Sequence, residues 1–190
     1  MGWKPFGSKD TIRKSLMKKN LYLGEPRSVI ALRFGSGAIF PYSDGDPSVS
    51  PAPPSEHLYL GGGASVRGWV TDHLGPYKCL SGVECLSSNN TQISDQIIPL
   101  GGTASLYGGI EIRRYWAADY GVALFYDFGR VWDLPSNVNL DQISSTVGAG
   151  LRYKTSIGPL RLDLAYRIPS DPYFQEEQEW TFHFALAENF

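Results

Sequence analysis

No stretch of this chain approaches the roughly 18 consecutive apolar residues that a membrane-crossing helix requires, so such a helix is excluded. An excess of charge of one sign is also missing: 17 Lys and Arg against 19 Asp and Glu leave a formal net charge of −2 over 190 residues. A balance this even creates no field that would gather nucleic acid. The basic residues that do cluster are Lys4, Lys9, Arg13, Lys14, Lys18 and Lys19. They fit a solvated or lumen-facing strand better than an RNA or lipid-headgroup patch. Cysteine is scarce, with Cys79 and Cys85 in one long loop. Their spacing suits a small loop-closing disulfide in an oxidising compartment, with two free thiols as the alternative. Zinc is not expected, because there is no second cysteine pair and His57 and His73 lack ligand spacing.

Catalytic motifs are missing too. Gly61, Gly62 and Gly63 are followed by Ala-Ser-Val-Arg, without the Lys-Ser/Thr of a phosphate-cradling loop and without a helix pattern behind them. There is no G-x-S-x-G elbow. The three histidines, His57, His73 and His183, are scattered. His183 falls at an inward position of the last strand, where a satisfied structural role is expected. Asp127 and Asp163 could be imagined as a carboxylate pair, but nothing in the sequence sets their separation. No enzyme activity, metal or cofactor is expected.

What the chain does have is alternation. Six stretches, among residues 28–40, 104–116, 120–132, 145–155, 160–168 and 180–190, place apolar side chains on every second residue. Trp180, Phe182, Phe184 and Leu186 form one such set; Leu160, Leu162, Leu164, Tyr166 and Ile168 form another. Between them stand Gly, Ala or charged residues such as Arg161, Asp163 and Arg167. Period two over about ten residues is the strand signal, because successive side chains leave opposite faces of a pleated backbone. It is also the length, roughly 9–11 tilted residues, at which a β-strand crosses a bilayer.

Alternation alone does not say whether the oily face turns inward, as in a soluble barrel or sandwich, or outward to lipid. Three features favour lipid. The connections alternate: short at Gly24–Arg27, 117–119 and Ser156–Pro159, long at 41–99, 133–144 and 169–179. Short turns at one end and long loops at the other mark outer-membrane barrels. Aromatic residues gather near segment ends: Phe40 and Tyr42, Tyr115, Trp116 and Tyr120, Trp132, Tyr173, Phe174 and Trp180. The polar face carries charges of both signs mid-strand, which a lumen tolerates, as would a solvated face. One domain is expected at this length, with a polar, Pro-rich stretch at 43–56 inside the long loop.

Several blocks occur in a telling order. Leu60-Gly61-Gly62-Gly63-Ala64-Ser65-Val66-Arg67-Gly68-Trp69 and Leu74-Gly75-Pro76 come first, then Pro99-Leu100-Gly101-Gly102. Phe125-Tyr126-Asp127-Phe128-Gly129-Arg130-Val131, Gly148-Ala149-Gly150-Leu151-Arg152-Tyr153 and Ile157-Gly158-Pro159-Leu160-Arg161-Leu162-Asp163 follow, and the chain ends in Phe190. Together these resemble the barrel of the BamA/TamA-type outer-membrane assembly factors of the outer membrane protein 85 superfamily, over residues 28–190 and more loosely 9–24.

The resemblance implies an all-β fold: the C-terminal six to seven strands of a sixteen-stranded antiparallel transmembrane barrel, with loop 41–99 folding inward. It implies that the loop tip Val66, Arg67, Gly68 and Trp69 enters the barrel, and that Arg67 reaches Asp127 on the strand that also bears Gly129. Val122, Leu124, Tyr126 and Phe128 share the oily face, so Asp127 points into the lumen. Arg152 and Glu111 face the same way and could join that pair. Phe190 and Trp180 resemble the terminal-strand signal read by barrel-assembly machinery. The expected partners are membrane lipids and client outer-membrane proteins, without nucleic acid, in the bacterial outer membrane.

The pattern departs from the family in places. Trp69 stands where Tyr or Phe is more usual. The N-terminal strands and the POTRA domains are absent from these 190 residues, and Met1–Gly7 is not a secretory signal, so the expectation is a piece of a longer precursor or a misassigned start. Six or seven strands cannot satisfy both of their own edges in lipid. The chain is therefore expected to complete a missing barrel half, to associate with copies of itself, or to be a non-functional remnant. Assembly of other outer-membrane proteins is the leading function. Secretion of one dedicated partner through the same barrel, and a soluble binding barrel, are the alternatives.

Overall fold

The computed structural model describes residues 11–25, 27–42, 52–79, 97–116, 119–156, 158–168 and 180–186. Among the described residues nine strands occur in chain order: β1 (Thr11–Glu25), β2 (Ser28–Tyr42), β3 (Tyr77–Cys79), β4 (Ile97–Pro99), β5 (Ala104–Tyr115), β6 (Tyr120–Trp132), β7 (Ser144–Thr155), β8 (Gly158–Ile168) and β9 (Trp180–Leu186). Seven of them form one sheet in the order β1-β2-β5-β6-β7-β8-β9. Every neighbouring pair is antiparallel. β3 and β4 form a separate short pair within the long loop, which the alternation did not announce. The edges of the large sheet are β1 and β9.

The six alternating stretches correspond to β2 and β5–β9, and the loosely patterned N-terminal stretch is β1. All apolar members of each alternating set leave one face. On β6, Val122, Leu124 and Tyr126 are exposed, whereas Ala123, Phe125 and Asp127 between them are buried. Ile110 and Ile112 on β5, Leu151 on β7, Leu164 on β8 and Phe182 and Phe184 on β9 continue the exposed apolar face. A contiguous apolar surface of this extent is unsupportable in water and is the ordinary outer wall of a membrane barrel.

Turn lengths agree with the depth of the wall. β1–β2, β5–β6 and β7–β8 are joined by short connections at one end, and β2–β5, β6–β7 and β8–β9 by long ones at the other. Aromatic rings mark both rims. At the short-turn end Tyr120 stacks on Tyr153 at 4.7 Å between centroids, and Trp116 is exposed. At the long-loop end Tyr166 meets Trp180 at 4.9 Å. Two of the rings at strand ends, Tyr115 and Trp132, are buried. Strand parity turns Tyr115 to the inner face, where its ring lies beside Gly121 and beneath the Lys154 ammonium. On β1, Lys14 and Lys18 share the register face of buried Arg33, while Lys19 lies on the opposite face, paired with Phe34.

The inner face is not empty. Residues 58–76 of the long loop lie against it, and their apolar members Leu60, Val66, Trp69 and Leu74 pack with Val131 and Tyr107 of the wall.

Candidate functional site

The loop is shaped before it meets the wall. Leu74 N–H donates to Leu60 O at 2.9 Å and Gly62 N–H to Trp69 O at 3.0 Å, closing the segment into a hairpin-like tongue. The Ser65 hydroxyl accepts from Gly61 N–H and donates to Gly61 O, both at 2.8 Å. At the tip Gly68 has φ +92°, and a Cβ there would lie 2.6 Å from Thr146 Cγ2 on β7. Only glycine meets both the conformational and the steric demand.

This tongue delivers Arg67 into a cluster of carboxylates. The guanidinium donates to Asp127 through Nε (2.6 Å to Oδ2) and Nη2 (3.0 Å to Oδ1), a bidentate fork. The Arg67 backbone N–H adds a third contact to Asp127 Oδ2 at 3.3 Å. Nη1 reaches Glu111 Oε2 at 2.5 Å and Asp163 Oδ2 at 3.3 Å. Strands β5, β6 and β8 thus each contribute one carboxylate to a single arginine. The Phe125 ring lies 3.5 Å from the guanidinium carbon and closes its remaining face. Burial alone would lower the Arg67 pKa, but its hydrogen bond to Asp127 and the three carboxylates outweigh that and raise it, so the side chain stays cationic.

Arginines on the wall complete the carboxylates. Arg152 donates to Asp163 Oδ1 at 2.6 Å and to Glu111 Oε1 at 2.9 Å. Arg113 Nε donates to Glu111 Oε1 at 2.7 Å, and Arg161 pairs with Asp163 at 3.1 Å. Arg33 reaches Asp127 Oδ1 at 3.2 Å. Six buried arginines therefore face three buried carboxylates among the described residues. The surplus donors go to the tongue's backbone. Arg33 donates to Ala64 O at 3.1 Å and to Ser65 O, Arg161 to Gly63 O at 2.6 Å, and Arg167 to Gly68 O at 2.5 Å. Arg167 also stacks over the Trp69 ring at 4.5 Å, so the indole at this position has a defined partner.

Space for these side chains is made by glycines directly across the register. Gly109 is the cross-strand partner of Asp127, Gly148 of Phe125 and Gly150 of Asp163. A Cβ would come within 2.3 Å of Asp127 Oδ1, 2.2 Å of Phe125 Cζ and 2.0 Å of Asp163 Oδ1 respectively. Gly129 serves the loop in the same way, since a Cβ there would stand 2.8 Å from Val66 Cγ2.

The structure accordingly brings Val66, Arg67, Gly68, Trp69, Glu111, Asp127, Gly129 and Arg152 into one buried cluster. Trp180 is not part of it; it lies on the outer face at the rim. Phe190 and Cys85 lie outside the described residues, and with Cys85 the Cys79–Cys85 disulfide. Asp127 and Asp163 are not an acid–base pair, because arginines hold both carboxylates. Sequence reasoning left out Arg33, Arg113, Arg161, Arg167 and Thr181. Strand parity was the available signal for all of them, since each occupies an inward position of an alternating stretch.

Three comparisons bear on this arrangement. The model of the Omp85 superfamily domain matches residues 6–190. The outer membrane protein assembly factor BamA of Nitratidesulfovibrio vulgaris is 28% identical over 194 residues, covering 100% of this chain. The chain spans 22% of the length of that relative. A crystal structure of BamA from Haemophilus ducreyi lacking POTRA domains 1–3 superposes with a TM-score of 0.67 at 17% identity, over 94% of this chain and 35% of that one. At that identity the likeness speaks for the fold.

Proposed function

The chain belongs to the Omp85 superfamily and is an integral β-barrel protein of the bacterial outer membrane, and we propose that it forms the C-terminal wall of a barrel that assists insertion of other outer-membrane proteins. The observation that carries this reading is the tongue of residues 58–76 bound to the inner wall through Arg67. A loop held by charge inside a barrel braces several strands at once and leaves the terminal strand edge to do the work.

The work is physical, not chemical. Among the described residues β9 is an edge of the sheet, and the unpaired backbone groups of an edge are costly in lipid and find partners on an incoming strand. Client strands are templated there, next to a locally thinned bilayer. The remaining strands come from the rest of a longer polypeptide or from a second copy of the chain. Membrane lipids and client outer-membrane proteins are the partners. Carboxylates and arginines of the inner cluster hold shape and transfer no protons.

The test is Arg67→Ala in the barrel that contains this chain, reconstituted in lipid vesicles. The expected result is retained heat-modifiable gel mobility, protease cleavage within residues 60–70, and loss of most client insertion. Unchanged protease resistance together with unchanged insertion would sink the proposal.

A further inference from the structure

Both backbone polar groups of Gly68 in the tongue are held by side chains. Gly68 N–H donates to His183 Nε2 at 2.9 Å, and Gly68 O accepts from Thr181 Oγ1 at 2.9 Å and from Arg167 Nε. Thr181 and His183 are alternate inward residues of β9, the edge strand, and Arg167 belongs to β8 beside it. Among the described residues β9 has backbone pairing on one side, to β8. We infer that His183 and Thr181 are positioning residues that latch the edge strand β9 to the Gly68 backbone of the inward tongue. The latch itself rests on this geometry; its consequence for client insertion rests on the assembly reading above.

The chemistry makes the latch conditional. A histidine accepting at Nε2 carries its proton on Nδ1, and the imidazolium has no lone pair left to accept with. Protonation of His183 would set an N–H against the Gly68 N–H and release one of the two β9 contacts. The charged groups facing the ring are Asp163 and Arg161 on β8, Arg67 on the tongue and Asp127 on β6. Asp163 is the direct cross-strand partner of His183. The edge where client strands would be met is therefore tied to the same loop that Arg67 anchors, and it loosens on acidification.

The test is amide hydrogen exchange of residues 180–186 in the vesicle-reconstituted barrel, expressed relative to intrinsic rates at each pH, with β5 and β6 as internal reference. His183→Leu and Thr181→Val are each expected to lower β9 protection about tenfold, the scale of one lost hydrogen bond, and to leave β5 and β6 unchanged. His183→Gln keeps an acceptor and is expected to retain wild-type protection. Wild-type β9 protection should fall between pH 8 and pH 5, and that of His183→Gln should not. Wild-type protection in both His183→Leu and Thr181→Val overturns the latch, and equal acid loss in His183→Gln overturns the role of the imidazole. If His183→Leu fails to show a folded gel mobility, Thr181→Val and the pH comparison decide. Client insertion is measured on the same vesicles: β9 loosened with insertion unchanged upholds the latch and removes the assembly reading.

Discussion

The two faces of the seven-stranded sheet are made from alternate residues of the same strands, yet they follow opposite rules. Leu124 on the outer face of β6 is 62% exposed, and Phe182 on β9 64%, while Glu111, Asp127 and Asp163 on the inner face are each 0% exposed. In a water-soluble protein the assignments would be reversed. The outer face is simple: any apolar side chain of suitable bulk satisfies lipid, so its contacts are interchangeable. The inner face is specific, because each buried charge needs a named partner at hydrogen-bonding distance, and Asp127, Phe125 and Asp163 each need a glycine opposite. The difference teaches that the membrane tolerates loose specification on one side of the wall, and that the information of the fold is concentrated on the other.

That contrast can be broken most severely from inside. Asp127→Ala removes the carboxylate that holds the Arg67 fork and the Arg33 contact. It is expected to destabilise the folded barrel by about 3–5 kcal/mol, the usual result of leaving a buried charge without its partner. Denaturant titration in vesicles checks this, and a double-mutant cycle with Arg67→Ala should show strong non-additivity. Additive effects would mean that the fork contributes nothing beyond its parts.

Breaking the outer face costs less. Leu124→Arg puts a cation on the lipid side of the wall and is expected to cost about 2–4 kcal/mol by the same titration, falling toward zero for positions nearer the rims. A neutral effect of Leu124→Arg would mean that this face meets water or protein instead of lipid.

A finer probe concerns the glycines. Gly150→Ala introduces a Cβ at 2.0 Å from Asp163 Oδ1, so Asp163 or Arg152 must move. Overpacking of this kind is expected to cost about 1–3 kcal/mol. Gly158→Ala, at a position where nothing lies within 4 Å of the added carbon, is a useful contrast. Its φ of +129° makes it a test of backbone strain without crowding.

Most of the fold was legible in the residue pattern. The alternation in 120–132 and 160–168 marks β6 and β8 because a pleated strand has a period of two and no other regular structure does. The same parity announces that Glu111, Asp127 and Arg152 share one face. The motif around Arg67 was legible through its resemblance to a family, not through its own periodicity, since residues 58–76 contain no regular element to give one. Tyr115 shows the limit of composition: an aromatic near a strand end reads as a rim residue, and only its parity reveals that it points inward.

By itself the sequence determined the strands, their two faces and the alternation of short turns with long loops, because these follow from local backbone geometry and side-chain period. Only the tertiary structure decided which charges meet. Arg67 stands 44, 60 and 96 residues from Glu111, Asp127 and Asp163, and no local rule spans such separations. Their convergence depends on strand order and register, which bring three inward carboxylates around one point. It depends equally on the path of the tongue, which delivers a guanidinium to that point. The attachment of the Gly68 backbone to Thr181 and His183 belongs to the same class. It arises because the loop tip and the inner face of the edge strand meet, a fact that exists only once the loop has folded against the sheet.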